Sequence, residues 1–392
     1  MPSESPTPND QVPLKACVNF AQRLLQTPSM PGEEAAIAAL IASEMNSLNF
    51  DEVWQDAVGN VHGRIYGRER ELPALVLNTH LDHVDPGDPD LWPVDPYSGA
   101  IVSGEDGERI AGRGASDIKG PLAVQVYSMA GLRRAGERPR RNVVFSGVVE
   151  EEIGGRGAIY WVENLDYEVG LILLGEPSSN ELALGHRGML SVWVTFPGRS
   201  VHASVPERGE NPNYALASFL RCLDTMQVEL GEHPILGKST VAPTIVEVDT
   251  RSKNVTPAWT RVLLDFRTAS ESPASIRRFI DRVAGELTYT VSAGYESVPL
   301  TDSETLLAGF YTPPESEVVR RARAAIAKGM GRTPELSNYR FATDGRHFEP
   351  YGLPILGYSP GDEAEAHVAG ESISIARMEE SLRGHMQLLR EF

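Results

Sequence analysis

Four short apolar runs, at residues 74–78, 142–149, 169–174 and 354–358, constrain this chain more than any other feature. They are rich in Val, Ile and Leu and do not alternate with polar residues. Strands covered on both faces read this way, because neither face meets water. Helical stretches separate them. Residues 12–26 and 33–48 are amphipathic, with Pro28 and Pro31-Gly32 between them; 121–135 opens on Pro121, which suits a first helical turn; 315–329 follows later. Strand and helix alternate, so the fold class expected is α/β around a mostly parallel sheet.

Residues 187–300 keep a different rhythm. The stretch 188–197 alternates like a half-exposed strand, 213–230 reads as a helix, 241–250 and 261–268 as strands, 275–287 as a helix and 288–297 as a strand. That order, βαββαβ, is the ferredoxin-like split motif. A chain of 392 residues also exceeds one ordinary core. The expected organisation is a flexible tail at 1–11, a larger domain built from 12–186 and 301–392, and an α+β domain inserted at 187–300.

Charge and cysteine content narrow the partners. The 36 basic against 54 acidic residues leave a formal charge of −18. So acidic a surface disfavours nucleic acid and anionic membranes. Cys17 and Cys222 form no disulfide framework, which points to a reducing, cytoplasmic setting. The opening MPSESPTPND is polar and Pro-rich and reads as neither a signal peptide nor a membrane span.

Five clusters carry acids or imidazoles at strand ends or in glycine-rich turns beside them. They are His80-Leu81-Asp82, Gly112–Gly120 (GRGASDIKG), Glu150-Glu151-Glu152 followed by Ile153–Gly157 (IGGRG), Glu176 in Leu173–Pro177 (LLGEP), and His367 after Pro360-Gly361-Asp362. Each has an ordinary reading. A strand-end histidine is a plain polar residue, Asp117 a helix cap, and three glutamates a solvated acidic turn. Their shared position changes the balance. Ligand sites in open α/β sheets gather outside the carboxyl ends of strands, so clusters far apart in sequence meet there. Adjacent glutamates ending a buried strand need cations or protons to settle. Nitrogen and oxygen donors without sulfur suit a catalytic Zn²⁺ site, or Co²⁺ or Mn²⁺ in its place. Two cations sharing a carboxylate form the common two-metal hydrolytic site. Asp82 can orient the His80 ring or raise its basicity.

With HLD, GRGASDIKG, EEEIGGRG, GEPS and AHVAGE in this order and spacing, the chain resembles a family of dinuclear zinc metallopeptidases and deacylases. That family includes acetylornithine deacetylase, succinyl-diaminopimelate desuccinylase, aminoacylase and the glutamate carboxypeptidases. The resemblance spans nearly the whole chain after the tail. It implies two Zn²⁺ ions bridged by Asp117, with His80 and Glu176 on one and Glu152 and His367 on the other. Glu151 would be the general base on an activated water, and Asp82 would assist. A cis peptide after the bridging aspartate, at Asp117-Ile118, is implied as well. The inserted domain would act as a lid and as a homodimer contact. His202 would steady the oxyanion in the partner subunit's site, and Asn254, Arg267 and Arg346 would hold the substrate's carboxylate. Two departures bear on this. Glu150 stands where the family usually has Asp, which leaves the roles among Glu150, Glu151 and Glu152 open. Pro86 is displaced by Asp85, which bears on the pocket rim and so on substrate choice.

The resulting expectation is a metal-dependent hydrolase that cleaves the amide of an N-acyl amino acid. A carboxypeptidase or dipeptidase on the same dinuclear site is the alternative. A catalytically silent binding protein on this fold is the reading from another class; it predicts missing ligands, whereas every ligand position is filled. His202 as a surface histidine and Arg346 as a structural ion pair remain open readings, and His83, His186 and His347 are assigned no role.

Overall fold

The computed structural model describes residues 13–269, 271–293 and 309–392. The tail 1–11, the end of the expected strand at 294–297 and positions 301–308 lie outside them. Two compact units divide the chain. One takes the chain up to Gly185 with Tyr311–Tyr339 and Thr343–Phe392; the other runs from His186 to Phe310 and adds Arg340–Ala342.

In the first unit, helices α1 (Leu14–Leu25) and α2 (Ala35–Ser47) precede strands β1 (Glu52–Gln55), β2 (Val61–Ile65) and β3 (Ala74–His80). A hairpin, β4 (Ala100–Gly104) and β5 (Gly107–Ala111), leads through a tight turn into helix α3 (Gly120–Arg134). Strand β6 (Val143–Val148), helix α4 (Arg156–Glu163), β7 (Val169–Leu174) and β8 (Leu182–His186) follow. Seven strands of a nine-stranded sheet run in the order β1-β2-β6-β3-β7, then Ile355–Gly357, then β8. Its centre, β6-β3-β7 with Ile355–Gly357, is parallel; β1, β2 and β8 join antiparallel. Every residue of β3 and β6 is buried, which is why these runs show no alternation. The antiparallel flank β1–β2 escapes sequence reading because it is short and half polar.

The second unit holds β9 (Gly188–Pro197), α5 (Pro212–Met226), strands Thr240–Val248 and Trp259–Thr268, α6 (Pro273–Ala284) and strand Thr290–Ala293. The four strands are antiparallel neighbours, with Trp259–Thr268 and β9 central and Thr240–Val248 and Thr290–Ala293 at the edges. This is the ferredoxin-like order. Burial alternates strictly along Trp259–Thr268, since one face packs on α5 and α6 and the other does not. Asn211 and Ser272 cap the two helices through their side chains.

The chain returns to the first unit with α7 (Glu317–Met330), the short α8 (Gly345–Phe348) and α9 (Ile375–Glu391). His385 of α9 is fully buried; its Nδ1–H donates to the Ser381 carbonyl and its Nε2 has no partner. Burial pushes its pKa down to about 4. The unfolded chain therefore takes up a proton below about pH 6.5 that the folded chain refuses until about pH 4, so stability falls as pH drops through that window. His385→Leu is expected to lessen the loss between pH 7.5 and pH 5 by about 2 kcal/mol, read from denaturant unfolding at both values. Equal losses in both proteins would remove His385 from the account.

Candidate metal centre

The parallel strands end side by side. His80 closes β3 in register with Val148 of β6, and Leu174 of β7 lies opposite both Asn78 and Gly357. Each is followed by a polar loop, so the carboxyl edge of the sheet collects residues 80–82, 150–152, 176 and 358–367. The remaining donor, Asp117, comes from the turn before α3, where Gly112 and Gly114 adopt positive φ that a side chain would strain. The Asp117-Ile118 peptide is cis.

Asp117 stands between two imidazoles. Its Oδ1 is 3.0 Å from His80 Nε2 and its Oδ2 is 3.3 Å from His367 Nε2. Beyond them, Glu176 Oε1 lies 3.9 Å from His80 Nε2, and Glu152 Oε1 lies 3.0 Å from His367 Nε2. Ligand atoms of His80, Asp117 and Glu152 fall within 4.8 Å of one another, so the two halves adjoin. The His80 Nδ1–H donates to the Asp82 carbonyl at 3.0 Å, which leaves Nε2 as the free donor atom facing Asp117. The Asp82 carboxylate, fully buried, accepts the Glu151 and Glu152 N–H groups, one on each oxygen at 3.1 Å. Its contact with the His80 ring is longer, 3.4 Å. Asp82 thus holds the glutamate turn at least as much as it orients the imidazole.

The three glutamates separate by direction. Glu150, at positive φ, turns to Arg156, which donates two bonds to its carboxylate at 2.6 and 2.8 Å. Glu152 faces His367. Glu151 lies 3.9 Å from Arg346 Nη2. Burial pushes the Glu151 carboxyl up to about 8, and the neighbouring Asp344 adds to the rise. Glu176 is raised well above the carboxylate range, first by burial. Burial would lower His80, but hydrogen bonds to Asp117 and Asp82 carry it well above its ordinary value. Bonds to Asp117 and Glu152 lift His367 to about 10. Asp117 is held well below its usual range by the two imidazoles despite its burial.

Two acids here escaped the sequence reading. Asp344, two residues before Arg346, is buried with an oxygen that accepts no hydrogen bond. Glu371, four residues after His367, is fully buried against the Asp117 turn. Glu371 ends the AHVAGE motif and Asp344 sits beside Arg346 in the chain, yet nothing local shows that an acid there points inward. His83 takes the plain role: Ser29 N–H donates to its Nε2, and it ties the loop after α1 to the end of β3.

In the second unit, His202 and Asn254 are exposed neighbours, 3.5 Å apart through Nε2 and Nδ2, and the His202 Nδ1 meets Ser204 Oγ at 2.7 Å. Arg267 pairs with Asp265 on its own strand at 2.8 Å.

This donor set fits divalent cations. The buried or half-buried carboxylates of Asp82, Asp117, Glu151, Glu152, Glu176 and Asp344 crowd the imidazoles of His80 and His367, no thiol takes part, and burial first, with like-charged neighbours after it, raises the Glu151 and Glu176 carboxyls. A cation set among them would reverse that logic.

Comparison with known proteins agrees in kind. Succinyl-diaminopimelate desuccinylase of Rhodospirillum centenum is 26% identical over 382 residues, covering 92% of each chain. Among solved structures, a Staphylococcus aureus tripeptidase superposes with a TM-score of 0.75 at 18% identity, covering 97% of this chain and 98% of that one. The Bacillus subtilis YXEP protein, described as a dinuclear metal binding peptidase, gives 0.68 at 14% identity, covering 96% and 97%. The model of Peptidase family M20/M25/M40 matches residues 76–391, most of the chain and every candidate ligand, and the chain belongs to that family.

Proposed function

We propose that the chain is a metal-dependent hydrolase of amide bonds whose substrate is an N-acyl amino acid. The observation that carries the metal-dependent chemistry is Asp117, with one oxygen toward His80 and the other toward His367. His80 and Glu176 complete one cation's set, and Glu152 and His367 the other's. Bound there, the cations, which we take to be Zn²⁺, supply Lewis acidity and lower the pKa of water from about 15.7 toward about 7. Glu151 takes a proton from the attacking water and returns it to the leaving amine nitrogen. Its buried position beside the cluster suits it to hold that proton between the two steps. Asp82 fixes the Glu151 backbone, and Arg346 offers a cation to the substrate's carboxylate beside the base. Glu150 is spent on Arg156, which supports Glu151 as the base.

A carboxypeptidase or dipeptidase uses the same groups, and the relatives named above include both a desuccinylase and a tripeptidase. The deciding experiment is a panel of acetylated and succinylated amino acids, dipeptides and tripeptides with zinc-reconstituted protein. Turnover of the acyl amino acids alone supports deacylation, and turnover of the peptides alone overturns it in favour of the peptidase reading. No turnover with less than one bound equivalent supports a silent binding protein.

His202, Asn254 and Arg267 belong to the second unit, where His202 is proposed to reach a partner subunit's site and the other two to hold the substrate. The Thr240–Val248 strand supports a homodimer. It is an edge strand, and Ile245, Val246 and Val248 are 45%, 55% and 41% exposed. Free apolar edges invite a second strand. Val246→Asp is expected to turn a dimer into a monomer in sedimentation velocity; an unchanged dimer would place the contact elsewhere. Among the described residues, no helix is long and apolar enough to cross a membrane. Cys17 and Cys222 are free thiols, which accords with a reducing, cytoplasmic setting.

A further inference from the structure

Glu371 makes more directed contacts than any proposed ligand. It has no solvent exposure. Its Oε1 accepts the N–H groups of Ser116 at 2.8 Å and Asp117 at 3.0 Å. Its Oε2 accepts the Gly114 N–H at 3.0 Å and Arg113 Nη1 at 2.7 Å. An ionised carboxylate offers about four acceptor sites, and all four are filled by one turn. Strand register puts it there. Ser372 pairs with Ala111 of β5, and the Gly112 N–H donates to the Glu371 carbonyl, so the next residue of β5's chain enters the turn beside the carboxylate.

The same turn is gripped a second time. Ser116 Oγ donates to the Asp362 carbonyl at 3.1 Å and accepts the Asp362 N–H at 2.6 Å. His367 lies between Asp362 and Glu371. The loop that carries His367 is therefore fastened at both ends to the turn that carries Asp117.

We propose that Glu371 is a positioning residue that sets the spacing between Asp117 and His367, and so the affinity of the site for divalent cations. This rests on the metal-centre reading above. Glutamine at this position keeps one oxygen but turns an amide N–H₂ toward donors that need an acceptor. Partners outside the ligand shell typically cost ~10–100-fold in metal affinity when replaced.

The test is calorimetric titration of metal-stripped protein with Zn²⁺, alongside thermal unfolding of the same samples. Glu371→Gln is expected to weaken zinc binding by ~10–100-fold, and Glu371→Asp by less. Leu382→Ala, a core change in α9, serves as a control for general destabilisation; it is expected to lower the melting temperature and leave the zinc affinity near wild type. If Glu371→Gln does not fold, Arg113→Met carries the test by removing the shortest of the four contacts, with a smaller weakening expected. Wild-type affinity in Glu371→Gln, or a loss no larger than in Leu382→Ala, overturns the proposal; where Arg113→Met stands in, wild-type affinity in that variant overturns it. Failure of the wild-type chain to bind zinc overturns the metal-centre reading itself, which separates the two failures.

Discussion

Glu151→Gln is expected to lower kcat by ~10²–10⁴-fold, the usual worth of a positioned general base, while zinc content stays at the wild-type level. The amide is nearly isosteric with the carboxylate, so packing against Arg346 and the bond from the Glu151 N–H to Asp82 persist. What it lacks is a basic oxygen to take the proton from water. Glu151 is the glutamate left over once Glu150 is paired with Arg156 and Glu152 faces His367. The measurement is steady-state kinetics on the best substrate of the panel, with metal analysis of the same samples. A variant that turns over as fast as wild type would remove Glu151 from the mechanism, and one that loses zinc as well would make it a ligand.

The second large effect is expected at Asp117. Asp117→Asn keeps one oxygen and puts an N–H₂ group toward either His80 or His367, each now 3.0 to 3.3 Å from a carboxylate oxygen. One half of the site then meets a donor where it needs an acceptor. The expected result is the loss of at least one zinc equivalent after dialysis and a weakening of ~100-fold or more at the other. Replacing a partner one shell further out already costs ~10–100-fold. In the metal-free protein the His367 pKa should also fall from about 10, since Asp117 is the largest cause of its elevation. That shift is readable by NMR of the imidazole and is independent of activity. Two equivalents bound with wild-type affinity would mean that Asp117 bridges nothing.

Much of this was legible in the chain. The runs that became β3, β6 and β7 announced themselves because burial on both faces favours apolar residues along most of each run. The helices of the inserted unit were equally plain, since an amphipathic period is local. Boundaries moved by a few residues: the helix expected at 213–230 is α5, Pro212–Met226, where Pro212 fills the first turn behind the Asn211 cap. The hairpin β4–β5 and the strand Ser372–Ser374 that joins it gave no such sign. The hairpin is short and largely exposed, and Ser372–Ser374, though buried, is only three residues long and pairs with a strand some 260 positions earlier.

The sequence by itself pointed to where most of the candidate donors gather, because acids and imidazoles that follow buried parallel strands have only the carboxyl edge of the sheet to occupy. It did not determine where each side chain points. That Glu150 turns to Arg156, that Asp82 holds the Glu151–Glu152 turn, and that Asp344 and Glu371 are inward acids were decided only by the tertiary structure. Direction depends on strand register and on backbone angles such as the positive φ of Glu150 and His367, and both are fixed by contacts between segments far apart in the chain.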